Sequence, residues 1–378
     1  MGSKRFLLLY VEPTPYITPV VRALVKLLPG ASDVFYITRN SSQNWGDDAE
    51  DELKSIVLSP GEGRWWENLQ RKYCLFSRIV SRQYSFVHLA GWGRLLFIAV
   101  IILCRLRRVP FSLESDTQYR EDDHARIAAI KELAYPRLFH WAVVLFPGGS
   151  RQAYMFHKYG VPDQKIQIAY MTTDTVRIQA MNAIPRSEWL AQYNVSPQSV
   201  VFLYVGRLES IKGLATLKQA YEALVLQSVN ATLVIVGDGS LRKDLQEWSR
   251  NIPSGAVVVR GREPAQTVYQ WMKSSDALIV PSHFEPWGLV INEALACGLP
   301  VIATEAVGAV QDLVIDKCNG LLVKTGNPVA LTEAMVTLAQ ADQYRLAMGR
   351  ASRAMISSWT VEREAQILAD GITRALNV

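Results

Sequence analysis

Between residues 200 and 340 the chain repeats one unit: a short apolar run, a turn or loop, then a segment with helical spacing. The apolar runs are 200–205, 232–236, 257–259, 277–280, 301–303 and 320–323. The helical segments are 214–226, 241–249, 265–274, 291–297 and 328–340. Such alternation predicts a parallel sheet with helices on both faces, a doubly wound α/β domain of roughly 160 residues.

The first half has the same order in a weaker form. Strands are predicted at 6–11, 33–38, 55–58, 86–89, 110–113, 142–146 and 166–169. Helices are predicted at 19–28, 65–81, 93–106, 124–134 and 151–159. Residues 41–52, with Asp47, Asp48, Glu50 and Asp51, read as a polar loop. A chain of 378 residues exceeds the usual single core, so two domains are expected, 1–190 and 191–355. The polar stretch 174–198 holds the linker. The tail, 356–378, has a helical pattern and is expected to cross back onto the first domain.

Charge is uneven. Residues 1–195 hold 24 Lys/Arg against 18 Asp/Glu, and the remainder 16 against 17. A basic first half suits an anionic partner, or else is only a solvated surface. Nucleic-acid binding calls for a denser basic stripe with interleaved aromatics, and none is seen. The four cysteines, at 74, 104, 297 and 318, have neither zinc nor disulfide spacing, which implies a reducing, cytoplasmic compartment. The amino terminus reads as a buried strand and not as a signal peptide. Residues 95–104 form the most apolar stretch, followed by Arg105, Arg107 and Arg108. Ten apolar residues are too few to cross a bilayer. They read as a buried helix with a charged exit, or as a site of peripheral membrane contact.

Chemistry concentrates in two stretches. Gly206, Arg207, Lys212 and Gly213 follow a strand directly. Glycine admits close backbone approach, and two cations suit a pyrophosphate whose charge rises as a glycosidic bond breaks. A strand-end turn with solvated cations is the other reading. Residues 282–293 read SHFEPWGLVINE, placing Glu285 in a loop and Glu293 at a helix start or in its first turn. A carboxylate there grips sugar or ribose hydroxyls, or simply favours the positive helix end. Amides at Gly288, Leu289 and Val290 are placed to meet phosphate. Gly237-Asp238-Gly239 is a tight turn without the dinucleotide fingerprint. No DxD follows a strand, so no required metal is indicated.

In order, residues 201–323 carry VGRLESIKGL at 205–214, VGDG at 236–239, Gly261, and FEPWGLVINEALACGLPVIA at 284–303. This series resembles the family 4 glycosyltransferases. The resemblance implies the GT-B architecture, two Rossmann-like domains facing a cleft, and sugar transfer with retention of configuration. It implies that Arg207 and Lys212 bind the donor diphosphate, with Gly206 and Gly237 beside them. Glu285 then contacts the donor sugar, Glu293 the ribose, and the backbone near Gly261 and Arg262 the nucleobase. The implied donor is a nucleoside diphosphate sugar, UDP ranked ahead of GDP, with no tightly bound cofactor and no metal. The implied acceptor is a saccharide, a glycan or a lipid-linked precursor at the inner face of a bacterial membrane.

The first half departs from the family pattern. The usual Gly-Gly pair near the start is absent, and the His common after a middle strand is replaced by Glu114, Ser115 and Asp116. Asp116 is the candidate for orienting a hydroxyl or handling a proton, against the plainer role of a loop cap. His88 competes with it, or is a satisfied core histidine. Gly148-Gly149-Ser150-Arg151 either meets an acceptor phosphate or starts a helix. Asp174 is expected to support the site without chemistry. The competing functions are a sugar-nucleotide epimerase, a glycosyltransferase of small metabolites, and a non-enzymatic glycan- or nucleic-acid-binding protein.

Overall fold

The computed structural model describes residues 4–39, 53, 55–59, 65–120, 125–253 and 256–376. The acidic stretch at 41–52 and residue 124 lie outside them. The chain forms two compact units, one of residues 1–173 with 361–378, the other of 174–360.

The first unit is built on β1 (Arg5–Tyr10), β2 (Ala31–Thr38), β3 (Ile56–Ser59), β4 (Phe86–Leu89), β5 (Phe111–Ser115) and β6 (Val144–Pro147). They lie in the order β3-β2-β1-β4-β5-β6, and every pairing is parallel. β4 and β6 are buried along their whole length, because helices cover both faces of the sheet. One face packs Leu75, Phe97, Ile101, Phe139 and Phe156 from successive helices. The other takes Val21 and Leu24 from the helix Ile17–Leu27 and Leu368 and Ile372 from the helix Val361–Leu376.

The second unit repeats the plan with β7 (Val200–Val205), β8 (Ala231–Val236), β9 (Val257–Val259), β10 (Ala277–Val280), β11 (Val301–Thr304) and β12 (Gly320–Val323). Their order is β12-β11-β10-β7-β8-β9, again all parallel. In both sheets the first strand is central and the order reverses beside it. That reversal opens a crevice at the carboxyl ends of the strands, where this class of sheet binds its ligands.

Four expectations change. Residues 166–169 form no strand; Ile166 makes an isolated bridge to Leu145. The stretch 174–198 is no open linker, since the helices Thr175–Ala180 and Arg186–Ala191 fold there as part of the second unit. The helix expected to end at 134 continues through Pro136 to Trp141. The helix Leu95–Arg107 is buried on one face only.

Candidate active site at the strand exits of the second unit

Four loops leave the carboxyl edge of the second sheet, and backbone hydrogen bonds tie them together in sheet order. Gly237 N, after β8, donates to Gly261 O, after β9, at 3.1 Å. Gly206 N, after β7, donates to Val236 O at 3.1 Å, and Leu208 N to Asp238 O at 2.9 Å. His283 N, after β10, donates to Ile211 O at 2.8 Å. Two glycines permit this closeness. A Cβ on Gly237 would lie 1.9 Å from Gly206 O, and one on Gly213 would lie 1.9 Å from Pro281 O. Gly213 also has φ +71, a left-handed backbone that side chains disfavour.

The same approach brings opposite charges together. Lys212 ends a single helical turn, Ser210–Lys212, and is largely buried. Its Nζ donates to Glu285 Oε2 in an ion pair. The cationic loop after β7 and the acidic loop after β10 therefore meet on one edge of one sheet. Arg207 is exposed beside them, its backbone carbonyl accepting from the Tyr204 hydroxyl at 2.8 Å. Glu209 accepts from the Ser240 backbone and hydroxyl at 3.0 and 2.6 Å, which holds its carboxyl below the usual range. Asp238 accepts from Arg242 at 3.2 Å and from Gly239 N at 2.9 Å. The Arg242 guanidinium lies against Gly261, where a Cβ would come within 2.8 Å of it. Arg262 is exposed at the same loop.

The acidic loop is braced from its other side. Gly308 N donates to Glu285 O at 3.0 Å and Ala309 N to Trp287 O at 2.9 Å. Trp287 is buried, donates from Nε1 to Asn292 at 3.0 Å and stacks on Trp359. Gly288 caps the helix Leu289–Cys297, so the amides of Leu289 and Val290 head it, where no preceding turn supplies acceptors. Glu293 lies in the second turn and not at the helix start, because the helix begins two residues earlier than its apolar pattern suggests. The macrodipole fades beyond the first turn, which weakens the purely structural reason for an acid there. Burial pushes the Glu293 carboxyl up to about 7, against a hydrogen bond from the Tyr269 hydroxyl at 3.2 Å that lowers it.

Gly206, Arg207, Lys212, Gly237, Gly261, Arg262, Glu285, Gly288, Leu289 and Val290 thus fall on the joined loops of one sheet edge, with Glu293 one turn behind. Asp116 belongs to the first unit. It is exposed just beyond β5, and its carbonyl accepts from Gln152 Nε2 at 3.3 Å. His88 is fully buried, with Nδ1 2.8 Å from Ser112 Oγ and Nε2 2.9 Å from Glu114 Oε2. Gly149 precedes the helix Ser150–Lys158, and Asp174 caps Thr175–Ala180 through its side chain. Sequence reasoning missed Tyr269, Arg242 and the Glu209–Ser240 pair. Glu209 lies inside the 205–214 stretch, so its motif was the available signal; Tyr269 carries none.

Residues 185–355 match the family described as Glycosyl transferases group 1. An uncharacterized glycosyltransferase of Methanocaldococcus jannaschii is 30% identical over 161 residues, 43% of this chain and 44% of that one. A D-inositol 3-phosphate glycosyltransferase of Xylanimonas cellulosilytica is 29% identical over 199 residues, 51% and 47% of the two chains. The chain spans about half the length of the curated relatives it matches. Anabaena HepE, solved in complex with UDP, superposes with a TM-score of 0.77 at 19% identity, covering 98% of this chain and 100% of that one. The fold is therefore GT-B, with two Rossmann-like parallel-sheet domains.

Proposed function

We propose that this chain is a retaining glycosyltransferase of the family 4 type. It moves a hexose-type unit from a nucleoside diphosphate sugar, UDP ahead of GDP, onto a hydroxyl of a glycan, a saccharide or a lipid-linked precursor in the cytoplasm. The observation that supports this reading is the meeting of Lys212 with Glu285, which brings a cation and a carboxylate together on one sheet edge. HepE of the same fold has been solved with UDP and with UDP-glucose, which supports a uridine donor.

In this reading Arg207 and Lys212 neutralise the diphosphate, and the Gly288, Leu289 and Val290 amides lie over it. Glu285 accepts hydroxyls of the donor sugar and Glu293 those of the ribose. The backbone at Gly261 and Arg262 receives the base. The bond from the anomeric carbon to the donor phosphate oxygen breaks as the acceptor oxygen attacks from the same face. The acceptor proton passes to the departing phosphate oxygen, so no carboxylate nucleophile is needed. The first unit binds the acceptor, with Asp116 orienting its hydroxyl.

A thermal-shift panel of UDP-, GDP-, ADP- and TDP-sugars tests the donor. A UDP-sugar at a hundredfold excess over Kd stabilises by about 2.7 kcal/mol. Arg207→Ala with Lys212→Ala removes that shift, Glu293→Gln weakens it, and Glu285→Gln spares it while slowing product formation. If no nucleotide sugar raises the melting temperature, the donor assignment is wrong.

A further inference from the structure

The helix Leu95–Arg107 is apolar on two opposite faces. Its inner face, Phe97, Val100, Ile101 and Cys104, is buried on the first sheet. Its outer face carries Leu95, Ile98, Ile102 and Leu106, at spacings that stack on one side of a helix. Leu95 is 86% exposed and Leu106 73%. A helix that only covers a sheet needs a single apolar stripe, and its outer side is ordinarily polar.

The neighbouring helix has the same character. Ala125–Trp141 buries Phe139 on that face of the sheet and exposes Ile127, Ile130, Leu133 and Trp141. Trp92, just ahead of Leu95, packs edge-on against Phe139 with ring centroids 4.8 Å apart, and both helices pack into the same core on one face of the sheet. Helix Trp65–Val80 touches Leu95–Arg107 on its other flank and exposes Leu69, Tyr73 and Val80.

Charge decides what covers this layer. From 90 to 113 the chain holds Arg94, Arg105, Arg107 and Arg108 and no acidic residue. All four arginines are exposed, and Arg82 joins them by donating to the Arg107 carbonyl at 2.9 Å. An apolar stripe edged by cations, with Arg126, Lys131 and Arg137 against the single acid Glu132 on the neighbouring helix, is complementary to a negative plane with an apolar interior. Long arginine stems let the stripe sink while the guanidinium groups stay at phosphate level.

We infer that the first unit seats on an anionic lipid bilayer through the outer faces of Leu95–Arg107 and Ala125–Trp141. The contact is peripheral. A helix of 13 residues is ~20 Å long against a hydrocarbon core of ~30 Å, and no helix among the described residues is long and apolar enough to cross a membrane. This deepens the proposed function, because it favours a lipid-linked acceptor over a freely soluble one.

The test is co-sedimentation of the full chain with phosphatidylcholine vesicles, with and without phosphatidylglycerol, at low and high salt. The expected result is binding that requires phosphatidylglycerol and weakens in high salt. Leu95→Ser with Leu106→Ser, and separately Arg105→Glu with Arg107→Glu, each lower partitioning by about tenfold or more. Because all four residues are exposed, melting temperature and nucleotide-induced shift stay at wild-type values. Three results overturn the inference: no binding to the anionic vesicles, equal binding by the variants, or a wild-type oligomer that the serine variant converts to monomer, which would mark a protein interface. Nucleotide shifts are read without vesicles, so a failed donor assignment and a failed membrane assignment are separately visible.

Discussion

Glu293 is the residue whose chemistry is most exposed to test. With its carboxyl pushed up to about 7, it is mostly protonated at pH 6 and mostly ionised at pH 8. Only the ionised form offers both oxygens as acceptors to a ribose diol. Affinity for UDP therefore rises with pH through about 7, and binding near that pH releases a proton. Titration calorimetry from pH 6 to 8, in buffers of different ionisation enthalpy, reads both effects, and Glu293→Gln flattens them. The sign for stability is opposite. A carboxyl raised above its unfolded value of about 4.3 contributes stability that is full below that pH and lost as pH rises through about 7. Affinity that falls with pH, or ignores it, would remove Glu293 from the ribose. Its side-chain partner, Tyr269, comes from another helix, 24 positions away, which no local pattern discloses.

Among the elements, the carboxy-terminal helix Val361–Leu376 shows how a remote segment completes a core. Val361, Ala365, Leu368 and Ile372 recur at helical spacing and are buried with residues of β1, β2 and β4. The helix also carries Glu364 inward, where its carboxylate accepts from Thr172 N at 3.1 Å. Burial, with Glu114 nearby, pushes that carboxyl well above the usual range. Leu368→Ala leaves a cavity in a layer fully shielded from water and costs about 2–5 kcal/mol. Urea unfolding read by hydrogen exchange at the amides of β1, β2 and β4 measures it; a loss under about 1 kcal/mol would mean that the layer closes without this side chain. The amphipathic pattern of this tail is plain in the sequence. The start of the helix bearing Glu293 is not, because Gly288-Leu289-Val290 reads equally well as loop. Ile166-Gln167-Ile168-Ala169 alternates as a strand does, yet the chain leaves the sheet, with Tyr170 at φ +63.

At the scale of the whole molecule, the sheets were legible because strands covered on both faces are written as uninterrupted apolar runs. The loop stretches of the second unit were legible for a related reason. A chain that must pass within van der Waals contact of another backbone has to place glycine there, as at Gly213 and Gly237. The exposed layer on the first unit was only half legible: the run at 95–104 left a buried helix and peripheral membrane contact both open, since an apolar run looks the same whether protein or something else covers its second face. What joins the loops of the second unit along one sheet edge is the series of backbone hydrogen bonds from Gly261 to Gly308, and for the proposed site this has a measurable consequence. Loops at a sheet edge open locally at lower free energy than the strands behind them. A ligand that bridges several loops suppresses opening in all of them by the same factor, about a hundredfold at 100 times Kd. Hydrogen exchange with UDP is therefore expected to slow together at 206–213, 237–239, 261–262 and 285–290, with β7 to β12 slowing only where they exchange through global unfolding, and Lys212→Ala is expected to abolish all four effects at once. Protection confined to one loop, or surviving that substitution in the other three, would show that the loops bind nothing in common.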